Sequence, residues 1–100
     1  MKRVKILITP SISIVMEPNC RDWLTLERET PEEATIGSIL KGLGDIYPEL
    51  GRMLFDPESG DISEGINLVL NGNLIKTPGV AGIKLLDGDT VTILPTYYGG

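Results

Sequence analysis

The sequence predicts one α+β domain, a mixed sheet of four to five strands packed on one main helix. Three observations predict it. Strand-like apolar runs lie near both ends of the chain, at residues 2–9 and 90–94. Between them, residues 36–46 carry apolar side chains at helical rather than strand spacing. Further on, Asn71-Gly72 stands between two apolar runs, the strongest short signal for a hairpin.

The elements follow in order. Val4, Ile6, Leu7 and Ile8 make residues 2–9 a first strand. Residues 11–16, Ser-Ile-Ser-Ile-Val-Met, either continue that pattern or begin a return strand, with Pro10 marking the interruption. Residues 17–22 read as a turn, and residues 23–27 alternate as a second strand.

Thr35 is the expected helix N-cap, preceded by the acidic pair Glu32-Glu33. Ile36, Ile39, Leu40, Leu43 and Ile46 then fall on one face of a 3.6-residue period, and Pro48 ends the helix. Gly37, Gly42 and Gly44 each weaken it by up to about 1 kcal/mol, so packing against a sheet must hold it. Residues 51–65 read as a connection with a short strand at 53–55 and a turn at 56–60.

Residues 66–70 form the next strand, and Leu74-Ile75 pairs back across the Asn71-Gly72 turn. Residues 77–79 break the ladder. Leu86-Asp87-Gly88-Asp89 is a tight turn launching the last strand, and Pro95 stops it. A helical crossover between the strand regions lets the first and last strands lie side by side, which is the β-grasp layout. Residues 1–95 are the domain. Residues 96–100 are a flexible tail ending in Gly99-Gly100, and by average glycine usage such an ending is only weakly informative alone.

Composition narrows the function. One hundred residues, 41% apolar and 23% charged, suit a single soluble globule with one core. No run approaches the length of a membrane span, and the basic start lacks a signal peptide's apolar stretch; the expected address is cytoplasmic. A single Cys20 offers no internal disulfide. With no histidine, a transition-metal site and the usual nucleophile–base pairs are not expected. A net charge of −5 argues against nucleic acid and suits docking to a basic patch on a larger protein.

Taken together, Asn71-Gly72 after an apolar strand, Leu86-Asp87-Gly88-Asp89-Thr90-Val91, Leu94-Pro95 and the terminal Gly99-Gly100 resemble the MoaD/ThiS sulfur carriers, a ubiquitin-like β-grasp family. The helix opening, residues 35–40, is similar as well. The tail departs from the molybdopterin-type members in carrying Thr96-Tyr97-Tyr98 where those have smaller residues, and residues 10–22 and 51–65 are longer.

The resemblance implies a carrier, not an enzyme, whose working group is the Gly100 carboxylate. An E1-like adenylyltransferase of MoeB/ThiF type would use ATP and Mg²⁺ to adenylate Gly100, and a sulfurtransferase would supply the sulfur of a thiocarboxylate. The carrier itself would bind no cofactor. The leading acceptor is molybdopterin synthesis, with this chain as the small subunit of the synthase beside a larger one. Gly99 would give access to a narrow channel, and Tyr97, Tyr98 and Pro95 would shape the docked tail. Fully extended, residues 96–100 reach about 16 Å.

Other readings stand beside these. The sulfur could serve thiamine, cysteine or tRNA thiolation. Gly100 could instead form isopeptide bonds to lysines, or the domain could be a plain interaction module. Tyr97 and Tyr98 serve equally well to cover the domain edge or to anchor the tail in a partner groove. Asp87-Gly88-Asp89 reads as turn chemistry, Cys20 as an incidental thiol, Arg52 and Lys76 as surface charge, Met16 and Met53 as filler, and residues 27–33 as a solvated acidic surface.

Overall fold

The computed structural model describes residues 2–16, 22–63, 65–75 and 79–95. Its element order is β1 (Lys2–Ile8), α1 (Pro10–Met16), β2 (Leu24–Thr30), α2 (Ile36–Ile46), α3 (Pro48–Leu54), β3 (Ile66–Leu70), β4 (Asn73–Ile75), a single 3-10 turn (Val80–Gly82) and β5 (Thr90–Pro95).

Strand β1 alternates because Val4, Ile6 and Ile8 are buried while Arg3 and Lys5 face solvent. It lies antiparallel to β2 and parallel to β5, so the first and last strands are neighbours, as the sequence predicts. β5 is antiparallel to β3, and β3 to β4, giving the sheet order β2-β1-β5-β3-β4. This five-stranded mixed sheet, covered on one side by helices, is the expected β-grasp.

The turn chemistry falls where it was read. Asn71 and Gly72 both take positive φ, 51° and 86°, as a type I′ hairpin requires, and Gly88 does so in the turn before β5 (φ 86°). Asp87 Oδ1 accepts from the Arg3 backbone N–H at 2.8 Å, tying that turn to β1.

Helix α2 begins at Thr35, whose hydroxyl accepts the Ser38 N–H at 3.2 Å while the Ser38 hydroxyl accepts the Thr35 N–H at 2.9 Å. This reciprocal capping box satisfies two otherwise orphan donors. The first turn itself carries no acidic residue; Glu32 and Glu33 precede the cap. Ile36, Leu40 and Leu43 are buried on the sheet, but Ile46, expected on the same face, is 61% exposed. It sits in the last turn of α2, where the chain departs into α3.

Two segments differ from their sequence reading. Residues 10–16 are a helix, not a strand: Pro10 is its first residue, where a fixed φ and a missing N–H cost nothing. The Thr9 carbonyl accepts from Ile12 and Ser13 at 3.0 and 2.8 Å. Those two adjacent residues are both buried, which strand alternation against one core would not give.

Residues 53–55 are likewise not a strand. Met53 and Leu54 close helix α3, and Phe55 makes only an isolated bridge to Ile62. Pro48 ends α2 and in the same position starts α3, and Tyr47 caps both. Among the described residues the shorter helices α1 and α3 thus join the expected main helix, α2. Leu50 and Leu54, four apart, are both fully buried. β2 also runs to Thr30, beyond the expected residue 27.

The crossing of α2 and α3 depends on missing side chains. A Cβ on Gly44 would stand 2.9 Å from Gly51 Cα, and one on Gly51 3.1 Å from Gly44 Cα. Lys2 points into the core side of β1, where its Nζ reaches out to donate to the Leu85 carbonyl at 2.8 Å and to that of Glu32. Arg52 makes an exposed ion pair with Glu49, and Met53 is partly buried against the core, as the bland readings of both residues had it.

Candidate functional site

Gly99 and Gly100 follow β5 in the sequence, so the setting of that strand comes first. β5 lies in the middle of the sheet, with backbone partners on both sides: Lys5–Ile8 of β1 and Ile66–Leu70 of β3. Pro95 is its last residue, half-buried and opposite Ile66 at the sheet margin. A proline fits there, since the ladder ends and no further donor is needed.

The other end of β5 is fixed by a polar clamp. Asp89 is 8% exposed, and its Oδ2 accepts the Leu86 N–H at 2.7 Å while its Oδ1 accepts from Asn71 Nδ2 at 2.8 Å. Asn71 Oδ1 accepts the Thr90 N–H at 2.8 Å, and the Asp89 carbonyl accepts from Lys5 N–H at 2.9 Å. The hairpin turn and the Asp-Gly-Asp turn are thus bonded to one another. Both turns that the sequence singled out serve to hold β5 in register.

The outer face, away from the helices, carries a row that the strand registers set side by side: Thr25, Leu7, Thr92, Val69 and Leu74. Leu7, Thr92 and Val69 are partly exposed and Leu74 is 53% exposed. Leu94, paired with Asn67, adds a further apolar side chain one step nearer Pro95. Trp23, 50% exposed, lies at the same end of the sheet, since Ile8 is in register with both Leu24 and Ile93. The face is an apolar strip that ends beside Pro95, the last residue of β5.

Of the residues expected to carry function, Pro95 closes β5 at the end of this strip. Tyr97, Tyr98, Gly99 and Gly100 lie outside the described residues, as do Thr96, Cys20, Lys76 and the Met16 side chain. The outer strip was missed in the sequence. Its signal was present: Ile6-Leu7-Ile8, Leu68-Val69-Leu70 and Ile93-Leu94 are unbroken apolar runs, and a strand facing solvent on one side should alternate. Among the described residues no group of three His, Cys, Asp or Glu is placed to hold a metal ion, and no helix is long and apolar enough to cross a membrane.

Residues 19–100 match the ThiS family. The chain belongs to the ThiS family. The family expected from the diglycine, the two turns and the helix opening is therefore the one found. Among relatives of this ThiS-family chain, sulfur carrier protein CysO of Mycobacterium tuberculosis is 28% identical over 94 residues, covering 93% of this chain and 98% of its own. Small archaeal modifier protein 3 of Haloferax volcanii is 34% identical over 71 residues, 69% of this chain and 73% of the relative. The crystal structure of small archaeal modifier protein 1 from H. volcanii superposes with a TM-score of 0.74 at 21% identity, over 97% of this chain and 100% of that one. That likeness establishes the fold.

Proposed function

We propose that this ThiS-family chain is a sulfur carrier activated at the carboxylate of Gly100. The observation that supports it most is the continuity of three features: a family match reaching residue 100, a central strand clamped at its start, and an apolar strip beside its end. A carboxylate is a poor electrophile. An E1-like adenylyltransferase using ATP and Mg²⁺ would convert it to an acyl-adenylate, releasing pyrophosphate. A sulfide-level sulfur brought by a sulfurtransferase would then displace AMP, leaving a thiocarboxylate on Gly100.

In this scheme the chain is a co-substrate and the partners hold the nucleotide, the metal ion and the chemistry. The outer strip docks the activating enzyme, with Leu74, Val69, Leu7 and Leu94 giving apolar contact. Gly99, without a Cβ, lets the terminal carboxylate pass a narrow channel while Tyr97 and Tyr98 line its mouth. The acceptor we assign is a molybdopterin precursor, with this chain as the small subunit beside a larger synthase subunit; that assignment rests on the resemblance of its residues. A carrier for another acceptor is equally compatible with the same scheme and with the similarity to sulfur carrier protein CysO.

A second reading, conjugation of Gly100 to lysines of other proteins, is favoured by the match to small archaeal modifier protein 3. Both begin with adenylation. The test is intact mass with fragmentation of the last residues, on protein taken from its own cells. Sulfur in place of one oxygen at Gly100 supports the carrier, and lysine-linked conjugates of higher mass support the modifier. A Gly100 left unmodified after incubation with ATP and the host's E1-like enzyme sinks both.

A further inference from the structure

Trp23 is half exposed, although tryptophan is highly buried on average. It is the single tryptophan of the chain and is not among the side chains packed on the core. Leu24, the next residue, does pack against the core, while Thr25 is exposed on the outer face opposite Leu7. Strand alternation therefore puts Trp23 on the outer face with Thr25.

The backbone around this side chain is held on both sides. Asp22 Oδ1 accepts the Trp23 N–H at 2.8 Å, and the Asp22 carbonyl accepts from Oγ of the fully buried Ser13 at 3.1 Å. On the other side Leu24 is laddered to Ile8. An exposed indole on so fixed a backbone has little freedom left to lose when a partner covers it.

Its distance from the end of β5 follows from the registers. Leu24 pairs with Ile8 and Ile8 with Ile93, so Trp23 and Leu94 lie one residue beyond that row, on the same side of it. Two strand spacings separate them, about 10 Å. An interface of standard size buries about 800 Å² on each partner, a disc of about 16 Å radius. A partner centred on Leu94 that receives the residues after Pro95 therefore covers Trp23 as well. Charge agrees, because the neighbouring outer row of Thr25, Leu7, Thr92 and Val69 is uncharged, and the pair Lys5 and Glu27 lies beyond it. Interface cores are depleted of charge.

We propose that Trp23 is an anchor for the activating enzyme, a role that rests on the carrier reading. The indole enters an apolar pocket of that enzyme, and its Nε1–H donates to an oxygen at the pocket's rim, since a buried indole N–H needs an acceptor. Tryptophan is enriched among the few residues that dominate binding. Trp23 precedes β2 and Leu74 lies in β4, the two edges of the sheet. Gripping both sets the rotation of the domain over the enzyme's site, which a single apolar patch leaves loose.

The test uses the full chain with 5-fluorotryptophan at Trp23, the host's E1-like enzyme, ATP and Mg²⁺. The single ¹⁹F resonance should move on saturation with the enzyme and lose its response to exchange of water for D₂O. In adenylation followed by pyrophosphate release, Trp23→Ala should raise the apparent KM about tenfold or more with kcat held within about twofold, and Trp23→Phe should recover most of the loss. An unchanged thermal midpoint of Trp23→Ala separates that loss from unfolding; where the midpoint falls, the ¹⁹F resonance decides. The proposal is overturned by a resonance still open to solvent in the saturated complex, by an unchanged KM for Trp23→Ala, or by a resonance that moves with carrier concentration alone, which would assign Trp23 to a second copy. A native chain that is never adenylated sinks the carrier reading and the anchor with it. Adenylation of Trp23→Ala at the native KM sinks the anchor and leaves the carrier standing.

Discussion

Two glycines on one helix should respond to the same substitution with opposite signs. In the interior of α2, replacing glycine by alanine lowers the entropy lost on folding, a gain of about 0.5–1 kcal/mol. At Gly42 nothing stands within 4 Å of the new methyl, so Gly42→Ala should realise that gain whole. At Gly44 the methyl would lie 2.9 Å from Gly51 Cα, a backbone atom that cannot rotate away. Moving α3 off α2 disturbs the packing of the fully buried Leu50 and Leu54, and overpacking of this kind costs about 1–3 kcal/mol. Net of the propensity gain, Gly44→Ala should destabilise by about 1–2 kcal/mol. For a domain of this length those changes correspond to a rise of about 3–6 °C for Gly42→Ala and a fall of about 5–10 °C for Gly44→Ala. Urea unfolding followed by far-UV circular dichroism would read both, with an unchanged slope showing that stability alone moved. Gly51→Ala should resemble Gly44→Ala, and the double variant should fall short of the sum, since both methyls relieve themselves through one helix displacement. If Gly44→Ala stabilised as much as Gly42→Ala, the helices would not be in backbone contact and this account of the helix layer would be wrong.

Three further outcomes are expected. Asp89→Ala removes the acceptor of the Leu86 N–H and of Asn71 Nδ2, and leaving buried donors unpaired should cost about 1–3 kcal/mol in urea unfolding; no loss would mean the clamp is dispensable. Thr35→Ala removes the α2 cap and should cost about 0.5–2 kcal/mol, a loss that Thr35→Asn should largely spare. Leu74→Glu on the outer strip should leave the thermal midpoint within about 2 °C, since the residue is half exposed and on an edge strand, yet slow ATP-dependent adenylation of Gly100 at least tenfold by raising the enzyme's apparent KM. Unaltered adenylation would move the docking site elsewhere.

What was legible in the chain was local chemistry with one physical solution. Asn71-Gly72 and Gly88 demand positive φ, and only a turn supplies it. The spacing from Ile36 to Leu43 has one helical face, and Thr35 sits where an orphan N–H needs an acceptor. What was not legible depended on distant parts of the fold. Ser11-Ile12-Ser13-Ile14 alternates like a strand, but Pro10 can open a helix as readily as interrupt a sheet, and only the core position of Ile12 and Ser13 decides. Pro48 reads as a stop, though it also starts α3, because a proline costs nothing at a first helical position. The glycines of α2 looked like weak points in a helix. Gly44 is required by Gly51, seven residues away and invisible to any count of propensity.

The site was half legible for a related reason. A terminal carboxylate is readable as chemistry because it needs no neighbours to be recognised, whereas a docking face exists only once strands are in register. Leu7 belongs to the first strand, Leu94 to the last, and Val69 and Leu74 to the hairpin between, and nothing in their order along the chain shows that they share a surface. The same topology gives β5, the strand before residues 96–100, the firmest hold in the sheet. An edge strand is held by one ladder and can slip or peel, but β5 is held by two, with the Asp89–Asn71 clamp fixing its start. Its last residue therefore occupies a defined position relative to the apolar strip. Under the proposed function, a partner that gripped the strip would thereby meet residue 96 at a fixed place, and five extended residues, about 16 Å, would carry the Gly100 carboxylate from there.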